Sequence, residues 1–164
     1  MTVPVEFAIR PGTLDDAETV VAQRRAMFLE MGYPNDDAMN RMCEAFRLWL
    51  LRKMQAGEYL VWFAVAQDGE KDRTIAAGLG LWLMDWPPHM VGPAPWRANI
   101  LNVYTEPESR RNGLARRLME HAIAWCRANG VSTVILHASA AGRPLYESMG
   151  FQSTTEMRTV LKLD

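Results

Sequence analysis

SRRNGLARRLMEHAIAWC, Ser109 to Cys126, places four arginines (Arg110, Arg111, Arg116 and Arg117) around the start of a helix, with Gly113 between them. Upstream, Ala98 to Tyr104 reads as an apolar strand, so TEPESRRNG, Thr105 to Gly113, becomes a strand-to-helix loop. A helix N-terminus presents unpaired N–H groups and a partial positive charge, and it binds phosphate readily. Gly113 lets the backbone approach an anion with no Cβ in the way. Ala115 keeps the first turn thin. Repelling arginines at a positive helix end make sense where an anion is expected. The same arginines also read as a solvated face paired with Glu106, Glu108 and Glu120; the strand context and the glycine spacing favour phosphate. The loop is not a Walker loop, because no Gly-Lys-Ser/Thr follows, and the three-glycine dinucleotide fingerprint is missing.

Outward from this loop, the chain divides into helical and strand patterns. Phe7 to Arg10 reads as a short strand. Thr13 can cap a first helix that starts with Asp15, Asp16 and Glu18 near its positive end and buries Ala17, Val20, Val21, Met27 and Met31 before Gly32. Asn35 or Asp36 caps a second helix, in which Met39, Met42, Cys43, Phe46 and Leu50 recur at helical spacing, closed by Gly57. Tyr59 to Ala66 and Thr74 to Trp86 read as two antiparallel strands joined by the turn signal DGEKDR, Asp68 to Arg73. Pro87 to Trp96 holds four prolines in ten residues, which suits an irregular loop. After the opening helix, which runs to about Asn129, Ser132 to His137 reads as strand, Pro144 to Met149 as a short helix and Phe151 to Leu161 as a closing strand. The order is strand, two helices, three strands, helix, strand, helix, strand. This is an α+β organisation: a mixed, mostly antiparallel central sheet joined to a βαβ unit, in one domain spanning 1–164.

A chain of 164 residues suits one domain with a full core. Lys plus Arg number 18 against 19 Asp plus Glu, a net charge of -1 that argues against a general nucleic-acid binder. Cys43 and Cys126 both fall in helix-like apolar patterns, which favours a reducing compartment over a disulfide framework. The start, MTVPVEFAIRPG, has no apolar signal core, and no apolar run is long enough to span a bilayer. The expectation is a cytoplasmic protein with no nucleic-acid or membrane partner. His89, His121 and His137 show no metal-ligand spacing with the cysteines, so no metal is expected.

Arg110-Arg111-Asn112-Gly113-Leu114-Ala115 resembles the Arg/Gln-x-x-Gly-x-Gly/Ala motif of the GNAT superfamily of N-acetyltransferases. Leu145-Tyr146-Glu147-Ser148-Met149-Gly150-Phe151 is similar to that family's Leu-Tyr-Glu-x-x-Gly-Phe segment, and the element order matches its fold over nearly the whole chain. The resemblance implies a cleft between two splayed central strands that takes acetyl-CoA as co-substrate. It implies that the backbones of Val103, Tyr104 and Thr105 face pantetheine and thioester. The amides of Arg111, Asn112, Gly113, Leu114, Ala115 and Arg116 would then face the pyrophosphate, with side-chain charge from Arg110 and Arg111. It places Tyr146 on the family's thiol-facing tyrosine, the acid for the leaving thiolate. Glu106 ranks first as base because it follows the central strand; Asp85, His89, Glu30 and Tyr33 are the other candidates. Ser139 stands where the family often carries Asn and can hydrogen-bond pantetheine or cap the following helix. Arg143 stands where a small residue is common; it reads first as a solvated side chain, and also as a group able to reach a phosphate or an acidic acceptor.

The implied activity is transfer of an acetyl group from acetyl-CoA to a primary amine of a small molecule or peptide. A homodimer is the family's expectation. A second reading is a regulatory module of the same fold that binds coenzyme A without turnover. A third treats the arginine loop as a generic nucleotide-phosphate site. Tyr33, Trp86, Trp96 and nearby methionines suggest a partly apolar acceptor pocket built by the first two helices and the proline loop.

Overall fold

The computed structural model describes residues 5–67 and 74–162. Its strands are β1 (Phe7–Pro11), β2 (Tyr59–Ala66), β3 (Ile75–Asp85), β4 (Trp96–Thr105) and β5 (Val134–Leu136), and its helices are α1 (Ala17–Glu30), α2 (Asp37–Gln55), α3 (Leu114–Ala128) and α4 (Arg143–Ser148). The five strands form one sheet in the order β1-β2-β3-β4-β5. The first four pair antiparallel, and β5 joins β4 in parallel after α3 crosses over. This is the mixed α+β architecture with a βαβ unit.

The sheet separates two cores. On one face α3 buries Leu114, Leu118, Met119, Ala122 and Cys126 against Trp62, Ala64, Leu79, Leu81 and Ile100. On the other, α1 and α2 bury Val20, Val21, Met39, Cys43, Phe46 and Leu50 against Tyr59, Val61, Phe63 and Val65. Alternate residues of β2 thus serve opposite cores, as the two-residue period of a pleated strand requires. Burial pushes the Cys126 thiol up to about 11.

Local chemistry sets the helix starts. Asp36 caps α2 by accepting from the Met39 N–H at 3.0 Å, while Asn35 accepts from Arg25 instead. Thr13 opens a 3₁₀ turn, Leu14–Asp16, that leads into α1. Its N–H donates to the Asp16 carboxylate at 2.8 Å, and Arg10 holds that carboxylate with two bonds of 2.9 and 2.8 Å.

Three expectations change. Met31 is exposed rather than buried, because α1 ends one residue earlier and the chain turns outward there. β5 is three residues long, shorter than Ser132 to His137. Phe151 to Leu161 is not a strand. The Phe151 N–H bonds back to the Tyr146 carbonyl at 3.1 Å, and beyond it Met157, Val160 and Leu161 are exposed. Strand-prone residues form a strand only when a partner edge supplies hydrogen bonds, and the three-residue edge of β5 offers few against the entropy of ordering the tail. The turn expected at Asp68 to Arg73 lies outside the described residues.

Candidate active site

The cleft begins where β4 and β5 part. β5 pairs with Ala98, Asn99 and Ile100, so β4 continues from Leu101 to Thr105 without a strand neighbour on that side among the described residues. At the same point β4 bulges. Asn102 has φ 54, the left-handed region, and the register against β3 shifts between Gly78 and Gly80. A bulge inserts one residue and re-aims those around it. Leu101 packs on the α1/α2 core, and Asn102 turns to the same face, donating from Nδ2 to the Tyr59 hydroxyl at 3.0 Å and accepting from Arg24 at 2.7 Å. Val103 then packs on the α3 core, and the Tyr104 hydroxyl reaches Glu30 on α1 at 3.3 Å.

Gly78 and Gly80 make room for this polar trough. A Cβ on Gly80 would stand 1.9 Å from the Tyr59 hydroxyl, and one on Gly78 would stand 2.2 Å from Gln23 Oε1. Burial raises the Tyr59 phenol far above its ordinary range, so it stays a neutral partner for Asn102.

The loop from β4 to α3 turns through two left-handed residues. Arg111 and Gly113 both have left-handed φ, 66 and 68, with Asn112 between them. Asn112 pins the loop by donating to the carbonyls of Ser109 at 3.0 Å and Arg110 at 3.3 Å. The first bond into the helix runs from the Arg117 N–H to Gly113 at 3.1 Å. Among the described residues, the N–H groups of Arg111, Asn112, Gly113, Leu114, Ala115 and Arg116 meet no protein acceptor. Nothing lies within 4 Å of a Cβ placed on Gly113. Consecutive free amides in such a concavity suit a diphosphate, so these residues fit the phosphate end of coenzyme A.

The arginines separate into two kinds. Arg110 donates to the Thr105 carbonyl at 3.1 Å and pairs with Glu30. Arg116 reaches Ser148 at 2.6 Å, and Arg117 reaches the Phe7 carbonyl at 2.9 Å. Arg111 alone of the four meets no protein partner among the described residues, and none of the four forms an ion pair with Glu106, Glu108 or Glu120 there. A surface of mutual charge pairs does not account for them.

Glu106 follows β4, its N–H bonded to the Ala76 carbonyl at 2.8 Å. Partial burial raises its carboxyl above the usual range, the Gln23 amide opposing and the charges of Glu108 and Glu30 adding to the rise. Tyr146 packs half-buried on the α3-side core, its ring 6.1 Å from Phe151, and burial raises its phenol as well. Ser139 accepts from the Gly142 N–H at 3.1 Å, and its carbonyl accepts from Arg143 at 3.0 Å, so it shapes the entry to α4 while keeping its own O–H to donate. Arg143 lies along Glu147 at 3.5 Å and Ser153 at 3.3 Å. Asp85 pairs with Trp96 in the sheet, His89 accepts from the Val91 N–H at 3.1 Å, and exposed Tyr33 meets Phe28 edge-on at 5.3 Å.

Gln23, Arg24, Tyr59 and Asn102 are the site neighbours that sequence reasoning missed. Asn102 inside an apolar strand and the Gly78-Leu79-Gly80 triplet were the signals available. Among the described residues no group of three or more His, Cys, Asp or Glu could hold a metal ion, and no helix is long and apolar enough to cross a membrane.

The sequence pattern of the acetyltransferase (GNAT) family matches residues 17–151. The chain superposes on a GCN5-related N-acetyltransferase from Ralstonia eutropha JMP134 with a TM-score of 0.86 and 36% identity, covering 95% of this chain and 99% of that one. It superposes on a predicted acetyltransferase with acetyl-CoA from Clostridium acetobutylicum with a TM-score of 0.79 and 26% identity, over 95% and 96% of the two chains. A curated relative, the [ribosomal protein bS18]-alanine N-acetyltransferase of Escherichia coli K12, is 39% identical over 64 residues, 37% of this chain and 43% of the relative's length.

Proposed function

Because the chain belongs to the acetyltransferase (GNAT) family, we propose that it transfers an acetyl group from acetyl-CoA to a primary amine of a small molecule or peptide, by direct attack within a ternary complex. The six unpaired amides from Arg111 to Arg116 carry this reading. Arg111 adds side-chain charge to that cradle, and Arg110 instead orders the end of β4 through Thr105 and Glu30. The bound co-substrate supplies an acetyl thioester: a bond forms from nitrogen to the acetyl carbon, the C–S bond breaks and the thiolate takes a proton.

The chain's own groups meet the needs of that exchange. A backbone N–H near Tyr104, on the stretch of β4 that β5 leaves open, polarises the thioester carbonyl. Tyr146 is protonated at neutral pH, since a free phenol has a pKa of about 10 and burial raises it further. It therefore supplies the thiolate's proton. Glu106, its carboxyl raised above the usual range by partial burial, draws the proton from the amine through water.

Release of free thiol from acetyl-CoA, followed across an amine panel that includes peptides with an N-terminal alanine, tests the proposal. Turnover is expected with at least one amine, and Tyr146→Phe is expected to lower it by on the order of 10²–10⁴-fold. Stabilisation by coenzyme A with no thiol release from any amine would favour the non-catalytic binding module. Better stabilisation by ATP or NADP than by coenzyme A would overturn the assignment of the loop.

A further inference from the structure

Arg24 lies in the wedge between α1, α2 and β4, half-buried. Its guanidinium carbon sits 5.0 Å from the Phe28 ring centroid and 4.4 Å from that of Phe46. Nη1 donates to Asn102 Oδ1 at 2.7 Å. Nε is buried and has no partner among the described residues. Among the described residues, no Asp or Glu stands within ion-pair distance of it. Other arginines differ. Arg10 has Asp16, Arg47 has Glu44 and Arg110 has Glu30. Arg25 has the side-chain oxygens of Asn35 and Asn40 at 2.7 and 2.8 Å.

A half-desolvated guanidinium is costly unless its charge is met. Two ring faces and one amide oxygen meet part of that cost. What remains unsatisfied is a planar fork of donors, the shape that fits a carboxylate. The position is equally specific. Asn102, which Arg24 holds, stands two residues past the last pairing of β4 with β5 and next to Val103. Arg24 therefore reaches the cleft strand from the α1/α2 face, opposite the α3 face on which Tyr146 packs. The same strand end brings Glu106 and Glu30 near Gln23 and Tyr104. Carboxylates and an unpaired cation on one side of a cleft complement a zwitterion.

We propose that the acceptor is a small primary amine that also carries a carboxylate, and that Arg24 binds this carboxylate and so determines specificity. This rests on the reading of the site as an amine acetyltransferase.

The test compares matched acceptors: a set of amino acids, with the carboxylate one to several carbons from the amine, against their carboxamides and decarboxylated amines. Thiol release is followed for the wild type, Arg24→Met, Arg24→Lys and Asn102→Gly. The wild type is expected to favour carboxylate-bearing acceptors by at least about tenfold in kcat/KM. Arg24→Met is expected to lose on the order of 10²-fold with these acceptors, mainly through the acceptor KM, and clearly less with the neutral ones, which feel only the lost bond to Asn102. Its KM for acetyl-CoA should stay at the wild-type value, and Arg24→Lys should recover part of the loss. Asn102→Gly keeps the left-handed backbone and removes the clamp; its losses should fall on both acceptor classes alike. No carboxylate preference in the wild type, or an equal loss for both classes in Arg24→Met, overturns the proposal and leaves Arg24 a residue that merely holds the bulge.

Failure of the catalytic reading is distinguished by a binding readout. With coenzyme A present, N-acetylated amino acids should raise the Tm of the wild type and not of Arg24→Met. That shift without turnover would sustain Arg24 as a carboxylate site while sinking acetyl transfer. Its absence together with absent turnover would sink both.

Discussion

At the scale of single residues, the site joins groups whose surroundings push them away from their solution behaviour. Partial burial raises Glu106, so its carboxylate form, the one able to accept a proton, is lost on acidification at a higher pH than an exposed glutamate's value of about 4.3. Activity should therefore fall as pH drops through that raised value. Glu106→Gln should remove this acid limb from the kcat/KM profile and lower the plateau by on the order of 10²-fold; an unchanged limb would assign it to the amine acceptor itself. Asn102 shows how much one polar residue can arrange. Its left-handed φ, its bond to Tyr59 and its bond to Arg24 turn two consecutive residues of β4 to the same face. A motif reader sees only an asparagine in an apolar run.

At the scale of elements, the junctions carry both stability and function. Gly113 sits at φ 68 with open space where a Cβ would go, so Gly113→Ala meets no clash and suffers only the left-handed backbone penalty. It should lower stability by about 1 kcal/mol and weaken coenzyme A binding about tenfold by tilting the amides, measurable by chemical unfolding and calorimetry. Asp16 joins β1 to α1. Arg10 and the Thr13 N–H hold its carboxylate below the usual range, although burial opposes them. A depressed folded value means that the contribution is present above the ordinary aspartate value of ~3.9 and is lost as pH falls through the folded one. Asp16→Asn should thus cost roughly 1–2 kcal/mol at neutral pH, with the gap to the wild type closing in acid when urea unfolding is followed against pH. The tail after α4 teaches the opposite lesson. Its sequence reads as a strand, yet Phe151 bonds back to α4 and no strand forms.

At the scale of the whole molecule, one sheet keeps two cores apart and assigns them different work. Leu118 is fully buried beneath α3, and Leu50 is fully buried beneath α2. Either truncation to Ala should cost about 2–5 kcal/mol, and the double variant should be nearly additive because the sheet separates the sites. Leu118→Ala loosens the helix whose first amides are proposed to hold the diphosphate, so it should also weaken coenzyme A binding; Leu50→Ala should leave that affinity alone. Calorimetry below each variant's unfolding range checks both. The sequence by itself determined the glycine-bearing turn between β4 and α3, because Gly113 and the strand-to-helix context are local and backbone amides need no distant partner. It also determined the element order through β4 and α3, where hydrophobic periods of two and about four residues follow from strand and helix geometry. Only the tertiary structure decided which arginines are tied to protein partners and where β4 bulges, and it alone put Gln23, Arg24, Tyr59 and Asn102 in one trough. Those contacts join α1, β2 and β4 across as many as 78 residues of chain, and such a meeting depends on how the layers pack rather than on any spacing along the sequence.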